Sequence, residues 1–168
     1  MSPAADDTLN DDQQRELLAL ARETISCEVS GRALPDLPAG EPVYELERAV
    51  FVTLHKRGQL RGCIGTLQAR ESLAAAVRSS AVSASTQDPR FPPVTPDELP
   101  ELEIEISVLS PMRPIASADE IEVGRHGVVV RQGMRSGVFL PQVAPEQGWD
   151  RDTMLDILCA QKAGLPAD

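Results

Sequence analysis

The chain has few aromatic residues, few histidines and fewer basic than acidic residues. Aromatic side chains make up 3% of its 168 residues, so the core must be mainly aliphatic. Lysine and arginine number 16 against 26 aspartates and glutamates, which gives a formal net charge of −10. Nucleic acids and anionic membrane surfaces both attract clustered basic residues. The composition therefore argues against both as partners.

Cysteine and histidine are too scarce and too scattered for the common sites they build. The three cysteines, Cys27, Cys63 and Cys159, are odd in number and have no short spacing. This pattern fits neither a disulfide framework nor a zinc site. With only two histidines in the chain, we predict no metal site.

The sequence has no targeting or membrane-spanning pattern. Its first seven residues, Met-Ser-Pro-Ala-Ala-Asp-Asp, contain neither a basic region nor an apolar run. No apolar segment approaches the roughly 18 residues that cross a bilayer. We predict a cytoplasmic protein with a mobile N-terminus over 1–9 and a single domain over 10–168. The length allows one good core, divided between two lobes.

Apolar periodicity predicts a mixed fold. Helical spacing over 10–30 and 71–85 predicts two helices, and strict alternation over 101–109 predicts a half-buried antiparallel strand. The later predicted elements are two short strands over 126–131 and 137–140, joined by a turn over 132–136, then an irregular loop over 141–148 and a helix over 151–163. The expected class is α/β of the α+β type, with an antiparallel sheet flanked by helices and a smaller second lobe.

The strongest pair of strands predicts a β-hairpin. A three-residue loop over 56–58 ends in a glycine, which suits the left-handed position of such a loop. In this register Thr53 faces Arg61 and Phe51 faces Cys63. A one-residue slip, as in a two-residue Arg-Gly turn, would mix the apolar and polar faces, so it is less favoured.

The second strand of this hairpin carries a candidate site. Gly62 and Gly65 flank Cys63, and Arg61 precedes it. Glycine weakens a strand and marks a bulge or a place where another group approaches the backbone closely. A thiol, a guanidinium and bare backbone within five residues therefore predict a binding or reactive site.

Two geometric expectations follow from the predicted register. His55 shares the face of Cys63 but lies four strand residues away, roughly 13 Å. A thiolate–imidazole pair needs about 3 Å, so His55 is not expected to act as its base. A buried Arg61 needs a partner, because an unpaired buried charge costs several kcal/mol. The carboxylates expected within its reach are those of Asp88, Glu103 and Glu105.

A series of motifs resembles one known family. Leu60–Gly65 reads Leu-Arg-Gly-Cys-Ile-Gly, and Asp88–Val94 reads Asp-Pro-Arg-Phe-Pro-Pro-Val. With the motifs that follow in order, they resemble the AMMECR-type domain family, also called AmmeMemoRadiSam system protein A, over roughly residues 12–167. The further motifs are the strand to Pro111, the segments Gly137–Ala144 and Gly148–Trp149, and the segment Gln161–Leu165.

The resemblance implies an α/β fold with an antiparallel sheet, a smaller lobe and a cleft. It implies partners in a shared pathway, namely a Memo-type protein and a radical S-adenosylmethionine enzyme, and it names no reaction and no cofactor. Family members continue into a terminal strand, whereas this sequence stops at Asp168. We therefore expect a homodimer through an unpaired sheet edge, or an open groove beside the hairpin.

Two functions remain open at this stage. In the first, the protein acts on or binds a small molecule or a modified peptide, with Cys63 as nucleophile or acceptor thiol, Arg61 as its cationic neighbour and His126 as base. The residues that would line the ligand are Gly62, Gly65, Asp88, Arg90 and Gln142. In the second, the same surface docks a partner protein, and the domain is a non-catalytic adaptor.

Overall fold

The structure, a computed structural model, describes residues 8–166. The chain divides into two compact units, Met1–Met112 and Arg113–Asp168, which are described separately below. The predicted α/β class with an antiparallel sheet is confirmed. The mobile N-terminus predicted over 1–9 falls mostly on residues outside the described part, and so does the chain end at Asp168.

Two helices cover one face of the first unit's sheet. Helix α1, Asp11–Val29, confirms the first predicted helix and begins at a capping box, in which Asn10 and Gln13 each accept a hydrogen bond from the other's backbone N–H. Helix α2, Leu73–Thr86, confirms the second and is capped by Ser72. The apolar faces of both helices lie in one buried cluster with the sheet.

The sheet of the first unit has three antiparallel strands. They are β1, Ala49–Lys56, β2, Gln59–Gly65, and β3, Leu102–Leu109, in the order β2-β1-β3. The predicted alternating strand is β3. Strand β1 is central, and its side chains Val50, Val52 and Leu54 are fully buried.

The register of the β1–β2 hairpin differs from the predicted one. Thr53 pairs with Cys63 and Phe51 pairs with Gly65, so the expected Thr53–Arg61 and Phe51–Cys63 pairs are wrong. The loop has two residues, Arg57 and Gly58, with φ of 53° and 75°. Positive φ at both positions is the type I′ turn, whose twist matches that of the flanking strands. That match outweighs the cost of about 1–2 kcal/mol for a non-glycine left-handed residue.

A β-bulge explains why each side chain of β2 still lies on the face of the sheet that the predicted register gave it. The shorter loop shifts the pairing by one residue. Opposite Leu54 and His55, the bulge shifts it by one residue more, because Arg61 has no partner on β1. Two shifts of one residue restore the alternation. Gly62 therefore stays on the helix-facing side, and Cys63 stays on the opposite face with Thr53.

The second unit contains a two-stranded sheet and short helices. Strands β4, Val128–Gln132, and β5, Arg135–Phe139, are joined by a two-residue turn, shorter than the predicted one over 132–136. The loop predicted over 141–148 instead contains α3, Val143–Gln147. Pro145 lies in the first turn of this helix, where the missing N–H has no helical partner to lose. Helix α4, Arg151–Ile157, continues as a π-helix over Leu158–Ala163.

A membrane-spanning helix is not found in the described part of the chain, because none of its helices combines the necessary length and hydrophobicity. Helix α1 is long enough, with 19 residues, but it carries charged residues along its exposed face.

Candidate functional site

The main chain of Cys63 is held by two side chains from one loop. Its N–H donates to Asp88 Oδ2 over 2.9 Å, and its carbonyl accepts from Arg90 Nη2 over 3.3 Å. The two holding groups form an ion pair of 2.7 Å with each other. The loop motif Asp-Pro-Arg therefore occupies the place that a neighbouring strand would take beside β2.

The same contacts explain the position of the Cys63 side chain. Both main-chain groups of Cys63 point away from β1, so Thr53 and Cys63 form a non-hydrogen-bonded antiparallel pair, in which side chains lie closest. Thr53 Oγ1 and Cys63 Sγ are 3.2 Å apart, and either atom can donate. Thr53 is buried and Cys63 is half-buried, so one polar neighbour fixes a thiol that solvent still reaches.

Asp88 is held in its charged form. Hydrogen bonds from the Arg90 side chain are the main cause that lowers the pKa of Asp88 far below its ordinary value of 3.8. The hydrogen bond from the Cys63 N–H also lowers this pKa, whereas burial of the carboxylate raises it. Its side chain is 3% exposed, whereas that of Arg90 is 53% exposed. Hydrogen bonding to Asp88 is the main cause that raises the pKa of Arg90. Arg90 is thus a permanent cation near the thiol, partly open to solvent.

Arg61 has a different partner from those predicted. It donates from Nε and Nη2 to the two carboxylate oxygens of Glu98, over 3.0 and 2.9 Å, and to the carbonyls of Pro92 and Pro93. The expectation of a nearby carboxylate is confirmed, but its identity as Asp88, Glu103 or Glu105 is wrong. The bulge redirects the side chain toward the short 3-10 helix Pro96–Glu101. Arg61 therefore fastens the proline-rich loop to β2.

Glu98 is the acceptor at the centre of this second ion-pair group. Lys56 Nζ also lies 2.9 Å from Glu98 Oε1. Hydrogen bonds from Arg61, against the effect of burial, place the pKa of Glu98 well below its ordinary value of 4.5. Glu98 also accepts from the Thr95 N–H over 3.0 Å at the start of the 3-10 helix. Its contact with Arg61 depends on the bulge in β2.

The chain's own atoms make the close approaches at the two glycines of the motif. A Cβ added at Gly62 would lie 2.2 Å from the carbonyl oxygen of Ala84 in α2. A Cβ at Gly65 would lie 2.1 Å from the carbonyl oxygen of Val50 and 2.6 Å from the ring of Phe51. Packing of the fold accounts for both residues, and their contact with a ligand stays a prediction.

His126 and Gln142 belong to the second unit. His126 Nδ1 accepts a hydrogen bond of 3.1 Å from the Glu122 N–H, in the turn before β4. Gln142 is the N-cap residue of α3, and its carbonyl accepts from the Glu146 N–H over 3.1 Å. Their roles toward Cys63 stay predictions.

The corrected register also changes the place of His55. Because Thr53 lies opposite Cys63, His55 is two strand positions from the thiol row, roughly 7 Å instead of roughly 13 Å. Its imidazole makes no hydrogen bond to any residue between 8 and 166. Over the same range, no three histidine, cysteine, aspartate or glutamate side chains are grouped so that they could hold a metal ion.

Comparison with known proteins decides the family. The sequence profile named AMMECR1 matches residues 18–168. The chain belongs to the AMMECR1 family. A relative from Methanothermobacter thermautotrophicus is 44% identical over 167 residues, covering 95% of this chain and 86% of the relative. One from Thermotoga maritima is 41% identical over 134 residues, covering 79% and 75%.

A solved structure supports the same family and fold. An uncharacterised protein from Pyrococcus horikoshii matches this AMMECR1-family protein with a TM-score of 0.86 and 36% identity, covering 95% of this chain and 83% of that one. The resemblance inferred from the motifs of β2 and of the proline-rich loop is therefore confirmed.

Proposed function

We propose that this AMMECR1-family protein binds or acts on a small anionic molecule or a modified peptide through the thiol of Cys63. The observation that carries the proposal is that Cys63 is held in one position. Its Sγ lies 3.2 Å from Thr53 Oγ1, and its N–H and carbonyl are hydrogen-bonded to side chains of the loop that contains Asp88 and Arg90. A half-buried thiol with a fixed position suits attack on, or capture of, a bound electrophile better than a mobile surface thiol.

Arg90 is the cationic neighbour of Cys63, the role that the sequence predicted for Arg61. Arg61 is engaged by Glu98 and two carbonyls, whereas the side chain of Arg90 is 53% exposed and its Nη1 donates to no atom among the described residues. An exposed guanidinium next to the site attracts carboxylate or phosphate groups. Asp88 is a positioning residue, because it acts on the thiol through Arg90 and the Cys63 backbone.

The pathway is part of the same proposal. A Memo-type protein and a radical S-adenosylmethionine enzyme would supply or consume the substrate in the cytoplasm. The support for this is the motif resemblance, which the family assignment strengthens.

Competitive alkylation tests the proposed thiol site. We expect iodoacetate and iodoacetamide to modify Cys63 faster than Cys159, which is also half-buried and serves as the internal control. The anionic reagent should be favoured at Cys63 because of Arg90. Peptide mass spectrometry measures both rates in one sample.

Two variants separate the role of Arg90 from general charge effects. Arg90→Gln should lower the ratio of iodoacetate to iodoacetamide rates at Cys63 by roughly threefold to tenfold, as expected for one nearby charge at partial exposure. Arg113→Gln removes another exposed arginine and should leave the ratio unchanged. Equal rates at Cys63 and Cys159, or a ratio insensitive to Arg90, would contradict the proposal.

A further inference from the structure

The main chain at Cys63 has no N–H free to stabilise an oxyanion. Attack of a nucleophile on a carbonyl group places negative charge on oxygen, and enzymes stabilise that charge with main-chain N–H groups of the nucleophile or of its neighbour. The Cys63 N–H is bonded to the buried carboxylate of Asp88 over 2.9 Å. The N–H of the next residue, Ile64, is directed toward Val52 in the β1–β2 ladder. Acyl transfer through Cys63 would therefore lack both of these donors.

The side chain nearest to the thiol is a donor aimed at sulfur. Thr53 is 5% exposed, and its Oγ1 lies 3.2 Å from Cys63 Sγ. Among residues 8–166, the Thr53 hydroxyl has no other hydrogen-bond partner, so the sulfur is the one acceptor for its hydrogen. A buried hydroxyl hydrogen without an acceptor is costly. The hydroxyl is therefore placed to donate to a sulfur atom that carries negative charge during a reaction.

We infer that Cys63 reacts by thiol–disulfide exchange, and that its substrate is the disulfide of a small thiol that carries a carboxylate. The inference rests on the proposed function and adds the bond that reacts. The Cys63 thiol gives its proton to water, and its sulfur attacks one sulfur of the substrate. A new S–S bond forms to Cys63 as the old one breaks, and the leaving sulfur takes a proton from water. Charge stays on sulfur throughout, where Thr53 can donate to it.

Arg90 is positioned to bind the carboxylate of such a substrate. Its Nη2 lies 3.3 Å from the Cys63 carbonyl oxygen, and its Cζ lies 5.5 Å from the centre of the Phe91 ring. Its Nη1 donates to no atom among the described residues, so this group is available to a carboxylate. Glu105, which faces Thr53 from β3, lies two strand spacings from Cys63, about 10 Å. Arg90 is therefore the closer charge to a molecule bound at the thiol.

The first unit provides no second thiol to displace the bound half of the substrate. Its other cysteine, Cys27, is 4% exposed and lies in α1, on the opposite side of the sheet from Cys63. The Cys27 Sγ contacts Glu23 Oε1 over 3.4 Å. The mixed disulfide at Cys63 is therefore expected to persist until a thiol from solution or from another protein attacks it.

Two forms of one anionic molecule test the chemistry. The probes are glutathione disulfide and the acetyl thioester of glutathione, which offer a sulfur and a carbonyl carbon to the same reduced full-length chain. We expect the disulfide to modify Cys63 at least about tenfold faster than the half-buried Cys159, because Cys63 has a fixed donor and a cation beside it. The thioester should show no such preference. Peptide mass spectrometry measures both rates.

Matched variants separate the roles of Thr53 and Arg90. Thr53→Val should slow the exchange at Cys63 roughly tenfold, since one donor to the charged sulfur is lost, and Thr53→Ser should restore it. Arg90→Gln should lower the preference for glutathione disulfide over the cationic disulfide cystamine by roughly threefold to tenfold. Arg113→Gln removes another exposed arginine and should leave that preference unchanged.

Four results would overturn the inference. They are the absence of a mixed disulfide at Cys63, equal disulfide rates at Cys63 and Cys159, an equal preference of the thioester for Cys63, and equal rates in Thr53→Val and Thr53→Ser. The alkylation test then tells the two proposals apart. If iodoacetate still favours Cys63, the thiol site stands and only the disulfide chemistry is wrong; if it does not, both proposals fail.

Discussion

The two edge strands of the three-stranded sheet differ in how their outward main-chain groups are bonded. At β2, the proline-rich loop closes the edge: Asp88 accepts from the Cys63 N–H and Arg90 donates to its carbonyl. At β3, the outward main-chain groups of Ile104 and Ile106 meet no strand among the described residues, and a groove runs beside them.

The difference lies in how many main-chain groups find side-chain partners among residues 8–166: both groups of Cys63 do, whereas at the outer edge of β3 the Leu102 carbonyl accepts from Arg22 Nη2 over 2.9 Å. An aspartate and an arginine two positions apart supply one acceptor and one donor, so they replace a strand at a single residue. This closure also fixes the thiol that lies at the same residue. An edge without such closure invites pairing with another chain. The first edge is therefore suited to a positioned side chain.

The largest effect is expected from Gly62→Ala, at the inner side of the closed edge. A Cβ there would lie 2.2 Å from the backbone oxygen of Ala84, so α2 and β2 must separate. We expect a loss of about 3 kcal/mol or more in the free energy of unfolding. Gly127→Ala, where the nearest atoms lie at 3.4 Å, should cost under about 1 kcal/mol. Urea denaturation followed by circular dichroism measures both, and similar costs would show that the close approach is not needed.

A smaller loss is expected from Asp88→Asn, which keeps one acceptor for the Cys63 N–H but removes the charge. The cost should be about 2 kcal/mol, below that of breaking a fully buried pair, because Arg90 is more than half exposed. Asp36→Asn, at an exposed position, is the control and should cost almost nothing. If the two variants were equally stable, the loop would not be closing the edge through Asp88.

Acid should weaken the closed edge in a defined direction. The pKa values of Asp88 and Glu98 lie below their ordinary values of 3.8 and 4.5, so both groups stabilise the folded chain above about pH 5. That stability should fall as the pH drops through 4.5 and 3.8. In Asp88→Asn the slope should be shallower by up to about 1.4 kcal/mol per pH unit near pH 3. Parallel slopes for the two proteins would contradict the assignment.

The smallest effect is expected from Thr53→Val, which removes the hydroxyl next to the Cys63 thiol. The cost should be under about 1 kcal/mol, since a single weak hydrogen bond is lost. Thr24→Val is the informative control, because the buried Thr24 hydroxyl has no partner among the described residues. That variant should be neutral or more stable. Thermal denaturation of both variants gives the comparison, and equal shifts would mean that the sulfur contact does not stabilise the fold.

The sequence predicted the helices and strands of the first unit better than the pairing register and side-chain contacts at the edge strand β2. Alternation over β3 and helical spacing over α1 depend on local periodicity, which a single sequence displays. The bulge at Arg61 depends on the competition between two turn types, and no local pattern decided it. Its consequences, the Thr53–Cys63 contact and the Arg61–Glu98 pair, could therefore not be predicted. The close approach at Gly62 was expected, but only the packed helix identifies Ala84 as the neighbour.

Native-state amide hydrogen exchange tests the difference between the two edges most directly. The amides of Cys63, Ile104 and Ile106 all point out of the sheet, but among residues 8–166 only that of Cys63 has an acceptor, the carboxylate of Asp88. The account predicts that the Ile104 and Ile106 amides exchange at least about 100-fold faster than the Cys63 amide. Equal protection of the three amides in the free protein would contradict it.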